Sequence, residues 1–243
     1  SIHGLIRGHD MELGVDDDTG GQTRYVVELA RTLGQRDDVA RVDLLTRRIL
    51  DSAVSSDYAR REERLSDKVN IVRLDCGEEG YITKEQLWDS LDTFADNALS
   101  YIRERQLTPD IIHSHYADAG YVGVRLSSLL GIPLVHTGHS LGRVKRQRLL
   151  ASGLKRDEIE RQYNISRRIE VEEDVLGAAE LVITSTRQEI EEQYGLYNHY
   201  QPEQMKVVPP GTELDQFYPP DGSEQHSPMR RELARFLKQP DKP

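Results

Sequence analysis

The segment Asp18-Thr19-Gly20-Gly21-Gln22-Thr23 stands directly before a helical pattern. Adjacent glycines let a backbone approach a ligand closely. The helix N-terminus then offers free N–H groups and a positive dipole to an anion. Gln22 adds a neutral amide able to bond a sugar hydroxyl. An ordinary tight turn would also explain Gly20 and Gly21, and the Gly-x-Gly-x-x-Gly spacing of a dinucleotide site is absent. A second segment, Thr137-Gly138-His139-Ser140-Leu141-Gly142, follows an apolar strand pattern. Its histidine would sit at the carboxyl end of a sheet. There a neutral imidazole can donate to a hydroxyl or act as acid or base, unless turn backbone satisfies it. A Ser-His nucleophile pair is not expected: neighbours on an extended segment face opposite ways, and no elbow motif surrounds Ser140.

A third set is basic: Lys84, Arg143, Lys145, Arg146, Arg148, Arg167 and Arg168. The chain holds 32 Lys and Arg against 42 Asp and Glu, a net charge of −10. That balance disfavours nucleic acid and anionic membranes as partners. In such a chain, basic side chains that converge beyond the strands would make a phosphate site. Taken singly, each reads as solvated helix surface. Lys84 and Lys145 stand out because each sits in a loop or at a helix start.

No metal site is expected. His113 and His115 share a strand face near Asp118, but a further ligand at fixed spacing is missing. Asp16-Asp17-Asp18 lacks the rest of a calcium loop. The sequon Asn164-Ile165-Ser166 lies in a predicted helix and reads as chance. Cys76 is the single cysteine and reads as a small apolar residue at a strand end. It permits no internal disulfide, which fits a reducing, cytoplasmic compartment. No apolar run approaches the roughly 20 residues a membrane helix needs, and no signal peptide is visible.

These groups need elements to hold them. Short β-branched runs at residues 42–46, 69–74, 111–115, 133–137, 181–185 and 205–208 predict strands. Between them, Tyr25, Val26, Leu29, Ala30 and Leu33 share one face of a helix ending at Gly34. Leu87, Trp88, Leu91, Phe94, Ala98 and Ile102 share another, with Thr83 and Gln86 placed as a capping box. Residues 155–177 predict one long charged helix. Ser1 to Gly4 reads as the tail of a strand. Alternating strand and helix argue for an α/β fold with a Rossmann-like parallel sheet and helices on both faces. Ligands of such sheets sit beyond the carboxyl ends of the strands. Residues 1–208 are expected to form this domain. Residues 209–243 are expected to form a connection, with a loop at 219–223, a helix at 228–238 and a linker stub at 240–243, toward a second domain.

Taken in order, several blocks resemble the sucrose-phosphate synthases. They are His3-Gly4-Leu5-Ile6-Arg7-Gly8, Asp18-Thr19-Gly20-Gly21-Gln22 with Tyr25-Val26-Val27-Glu28-Leu29-Ala30, His115-Tyr116-Ala117-Asp118-Ala119-Gly120, Thr137-Gly138-His139-Ser140-Leu141-Gly142-Arg143, Arg167-Arg168-Ile169-Glu170 and Val208-Pro209-Pro210-Gly211. The resemblance implies the N-terminal half of a GT-B fold, in which two Rossmann-like domains face across a cleft. It implies transfer of glucose from UDP-glucose to fructose 6-phosphate with retention, giving sucrose 6-phosphate. It implies no protein-bound cofactor, and any stimulation by magnesium would need no protein motif. By the same resemblance, His139 would act at the donor glucose, and Gly20 and Gly21 would approach the donor diphosphate. Gln22, Lys84, Tyr116, Ser140, Lys145, Arg167 and Arg168 would hold the acceptor, with the choice between the two arginines left open. Its partners would be a C-terminal donor-binding domain of the same polypeptide and sucrose-phosphate phosphatase. Without that domain the chain is expected to be inactive. A sucrose-synthase-like enzyme using free fructose and a non-catalytic sugar-phosphate-binding domain are the alternatives. A retaining hydrolase is disfavoured, since no carboxylate pair is singled out.

Overall fold

Burial of β-branched and aliphatic side chains organises the chain around two small sheets. The computed structural model describes residues 1–12, 14 and 18–211. The chain divides into two compact units, Ser1–Pro209 and Pro210–Pro243. The expected loop at 219–223, helix at 228–238 and stub at 240–243 lie outside the described residues.

In the first sheet, β1 (Val42–Arg47) pairs in parallel with β3 (Val69–Leu74), from Val42 opposite Val69 to Arg47 opposite Leu74. The short strand β2 (Glu62–Arg64) joins the other edge of β3 antiparallel. The second sheet is wholly parallel and runs in chain order: β4 (Ile112–His115), β5 (Leu134–Thr137), β6 (Leu181–Thr184) and β7 (Met205–Val207). The predicted strands are therefore present, but they divide between two ladders, and β2 was not anticipated. Its Glu-Glu-Arg sequence carries no apolar alternation to announce it.

Helix α1 (Gly21–Gly34) packs on β1 and β3. Its last residue, Gly34, is a glycine for a packing reason, since a Cβ there would fall 2.2 Å from Val69 Cγ2. Helix α2 (Leu91–Glu104) buries Leu91, Phe94, Ala95, Ala98 and Ile102, as its pattern requires. It begins later than expected. A 3-10 turn, Leu87–Ser90, precedes it, and Gln86 N–H closes a turn onto Thr83 O, so Thr83 and Gln86 do not cap the helix. Helix α3 (Tyr116–Leu130) was not predicted, because most of its first eight residues are buried and no polar face marks it. Helix α4 (Gly142–Ala151) follows β5. The expected single helix over 155–177 is two, α5 (Arg156–Tyr163) and α6 (Ile165–Ala178). Asn164 breaks them at φ 46°, a left-handed conformation that asparagine tolerates better than most residues.

Residues 1–7 are buried, although they form no strand. They run beside the first sheet: Thr46 Oγ1 donates to Ile2 O at 3.3 Å and Arg73 Nη2 to Ile6 O at 3.0 Å. His3 Nδ1 meets Asp118 Oδ2 of α3 at 2.5 Å, which ties this segment to the second sheet's helices. Ile2 joins a core of Val72, Trp88, Phe94, Val122 and Val175. A second core of Leu134, Ile159, Ile169, Val182 and Tyr194 lies around β5 and β6. Leu134 and Val175 are fully buried.

Two glycines set how closely α3 lies against its neighbours. A Cβ on Gly120 would come 2.7 Å from Val175 Cγ2, and one on Gly123 would come 2.8 Å from Leu134 Cδ1. Both approaches are too close for an added atom. Gly120→Val is expected to lower unfolding stability by about 1–3 kcal/mol, the usual cost of overpacking. Urea unfolding measures it, and an unchanged midpoint would show that this contact does not constrain α3.

Candidate functional site

The segment after β5 is bent by its own residues. A Cβ on Gly138 would lie 2.5 Å from the Tyr194 hydroxyl, so a side chain there would have to displace the buried Tyr194. His139 follows at φ 58°, and Ser140 N–H returns to Gly138 O at 2.7 Å. This turn brings His139 Nε2 to 3.0 Å from His115 Nδ1 at the end of β4. Tyr25 of α1 stands edge-on to both rings, with centroids 5.1 Å from His139 and 5.9 Å from His115. The His113 ring lies 4.1 Å from His115, and its Nε2 meets Thr137 Oγ1 at 2.8 Å. His136 Nδ1 meets Ser114 Oγ at 2.8 Å.

These imidazoles are neutral at pH 7. Burial lowers the pKa of His113 to about 4 and that of His136 to about 3. Burial, helped by the neighbouring imidazoles, pulls His115 well below the ordinary range. The same two causes lower His139, although the residue as a whole stands exposed. His139 thus offers the cleft a neutral hydrogen-bonding group rather than a cation.

The start of α4 is fixed by a buried carboxylate. Glu172 of α6 accepts Gly142 N–H at 2.9 Å, Arg168 Nε at 2.8 Å and the Tyr197 hydroxyl. Arg168 also donates from Nη2 to Ser140 O at 2.6 Å and to Ser140 Oγ at 3.0 Å. Its guanidinium lies 4.5 Å from the ring centre of Tyr116, which itself sits at φ 75°. Burial raises the Tyr116 phenol, and Arg168 partly opposes that rise. So Arg168, Tyr116 and Ser140 form one cluster. Arg167 turns elsewhere, with Nη1 2.6 Å from Asp89 Oδ1 and the guanidinium over Trp88.

The lysines converge. Asp18 accepts the Lys84 ammonium on one oxygen, and on the other Lys84 N–H at 2.9 Å and the Tyr81 hydroxyl at 3.3 Å. Lys84 Nζ and Lys145 Nζ each lie 3.7 Å from the same Glu85 oxygen. Lys145 also sits 3.9 Å above the Tyr163 ring. An open cleft of about 450 Å³ runs past His139, Ser140, Lys145, Arg148, Glu189 and Tyr194. Arg143, by contrast, is engaged by Glu173 at 2.5 Å and lies over Tyr197.

Gly20 and Gly21 are exposed at the start of α1, and among the described residues a Cβ on either would meet nothing within 4 Å. No contact among the described residues requires glycine there, and close approach by a ligand is a reason for it. Gln22 Nε2 donates to Ser1 Oγ at 3.2 Å. Asp118 is taken up by His3 and by Ala119 N–H, so it is not aimed at His113 or His115. Among the described residues no group of three His, Cys, Asp or Glu is disposed to hold a metal ion. Asp16 and Asp17 lie outside those residues. Among the described residues no helix is long and apolar enough to cross a membrane. Cys76 is buried, its Sγ donates to Ser90 O at 3.1 Å, and burial pushes the thiol up to about 11.

Sequence reasoning passed over Glu172, Glu85, Tyr25 and the role of Asp18. The spacing of Arg168 and Glu172, four apart on one helix, was a readable signal. Asp18 gave none, because its partner Lys84 comes from another segment, and for Glu85 the adjacent Lys84 gave no hint of the remote partner Lys145.

Comparison with known proteins adds a family. The family model for the glycosyl transferase 4-like domain matches residues 20–211. The chain is 41% identical to a probable sucrose-phosphate synthase 2 of Arabidopsis thaliana, across 100% of this chain and 29% of that protein. It is also 41% identical to a probable sucrose-phosphate synthase of Solanum tuberosum, with the same coverage. Among solved structures, it resembles a sucrose-phosphate synthase from Thermosynechococcus elongatus, with TM-score 0.68 and 28% identity over 85% of this chain and 47% of that one. The chain therefore spans about 29% of the length of the curated relatives it matches. The α/β fold and the expected relationship both stand.

The neutral histidines make stability depend on pH. Their folded pKa values lie below the unfolded value near 6.5, so the unfolded chain binds protons first as pH falls. Their contribution is complete above about pH 6.5 and is lost toward pH 4. Unfolding free energy from urea titrations is expected to fall across that interval, and less steeply in His136→Asn. A flat profile between pH 6.5 and 4 would contradict neutral burial.

Proposed function

This chain belongs to the glycosyl transferase 4-like family, and we propose that it is the acceptor-binding part of a sucrose-phosphate synthase. In this reading residues 1–208 hold fructose 6-phosphate. Residues 209–243 lead to a C-terminal domain that binds UDP-glucose, and the complete protein works in the cytoplasm. The names of the relatives support the reaction. The observation that carries the choice of a phosphorylated acceptor is the meeting of Lys84 and Lys145 at one point, Glu85 Oε1.

The chemistry follows from the cleft. Two ammonium groups so placed suit a phosphate dianion better than a neutral sugar. Arg168 holds Ser140 by two hydrogen bonds, which fixes it in the cleft that Lys145 also lines. The first turn of α1 carries no acidic side chain, so its N–H groups at Gly20 and Gly21 keep their attraction for a diphosphate. In transfer with retention, an acceptor hydroxyl attacks glucose C1 on the face that the nucleotide leaves. A diphosphate oxygen takes the hydroxyl proton. His139, neutral and held by His115, bonds a hydroxyl of the glucosyl group and steadies it while the bond to the diphosphate breaks.

In the full-length enzyme, Lys84→Ala and Lys145→Ala are each expected to raise KM for fructose 6-phosphate about 10- to 100-fold, the scale of one hydrogen bond to a charged group. Use of free fructose should not change. If discrimination between the two sugars survives both substitutions, the acceptor assignment is wrong. His139→Ala is expected to lower kcat more than it weakens acceptor binding, and an unaffected kcat would remove His139 from the transfer step.

A further inference from the structure

The Glu85 carboxylate sits where an incoming phosphate would have to go. Its Oε1 is 3.7 Å from both Lys84 Nζ and Lys145 Nζ. Each lysine also has a support apart from it. Lys84 is held by the Asp18 carboxylate, which is itself fixed by Lys84 N–H and the Tyr81 hydroxyl. Lys145 rests over the Tyr163 ring. The Asp18 side chain is 4% exposed, whereas that of Glu85 is 22% exposed. One acid is built into the floor of the site and the other has a path to water.

We propose that Glu85 is an internal anion that occupies the acceptor-phosphate seat and sets its specificity. A phosphate dianion carries more charge than a carboxylate and displaces Glu85 into solvent. A neutral sugar cannot make that exchange and meets two lysines already paired. Selectivity then comes from a competitor inside the site as well as from attraction to the correct ligand. The inference rests on the acceptor reading above.

It makes an unusual prediction, because removing a contact strengthens binding. In the full-length enzyme, inorganic phosphate serves as a competitive inhibitor against fructose 6-phosphate. Glu85→Gln keeps the side-chain size and removes the charge. Its Ki for phosphate and KM for fructose 6-phosphate should both fall, by roughly three- to tenfold, since each partly exposed ion pair that is lost is a modest term. Lys84→Ala is measured beside it. If Lys84→Ala leaves phosphate inhibition and sugar discrimination intact, the acceptor reading fails, and this inference with it. If Lys84→Ala weakens phosphate but Glu85→Gln leaves Ki unchanged or raises it, Glu85 is a brace for the lysines and the inference alone is overturned. Glu85→Asp, whose shorter side chain reaches the two ammonium groups less well, should fall between wild type and Glu85→Gln. A Ki at or above the wild-type value in Glu85→Asp, with a lower one in Glu85→Gln, would contradict simple competition.

Discussion

The buried pair of Arg168 and Glu172 is the contact on which the cleft depends. Both side chains are 4% exposed, so each charge must be compensated inside the protein. Glu172 does this by accepting from the first N–H of α4 and from Tyr197 as well as from Arg168. Arg168 does it by reaching Ser140 and the Tyr116 ring. One ion pair thus positions the turn after β5, the start of α4 and the start of α3. Lys145 lies one turn into α4, so its height above the cleft is set by the same carboxylate. Breaking such a pair leaves a buried charge alone, which is why one conservative change there would disturb several binding groups at once.

A second constraint is dryness behind the cleft. The carboxyl end of the second sheet carries His113, His115, His136 and, just beyond, His139. Four imidazoles that close would repel one another if charged. Burial keeps the inner three neutral, and hydrogen bonds to Thr137, Ser114 and one another engage one nitrogen of each ring. The site therefore divides by charge: neutral rings on the His139 side, and cations balanced by Asp18 and Glu85 on the lysine side. That division suits a substrate with a neutral reacting end and an anionic far end.

Much of this was legible in the sequence, and the rest was hidden for definable reasons. The β-branched runs marked six strands, because local composition and burial agree there. Helix α3 escaped notice because burial around its first turns leaves it no polar face. Strand β2 escaped because its charged residues sit at a sheet edge. The break at Asn164 rests on a backbone angle that sequence only hints at. Of the site, the residue types at His139, Lys84 and Lys145 could be singled out, but their convergence could not. It depends on a turn at Lys84 and the first turn of α4, about 60 residues apart in the chain, meeting at Glu85. The adjacent arginines show the same limit: helical rotation sends Arg168 inward to Ser140 and Arg167 outward to Asp89.

The central claim is that the paired lysines read the phosphate of an acceptor sugar. Calorimetric titration of the wild-type full-length protein with fructose 6-phosphate, and separately with fructose, tests it most directly. The account predicts that the phosphorylated sugar binds much more tightly, and that its affinity falls as salt rises while that of fructose stays put. Equal affinity for the two sugars, or a preference for fructose, would contradict it.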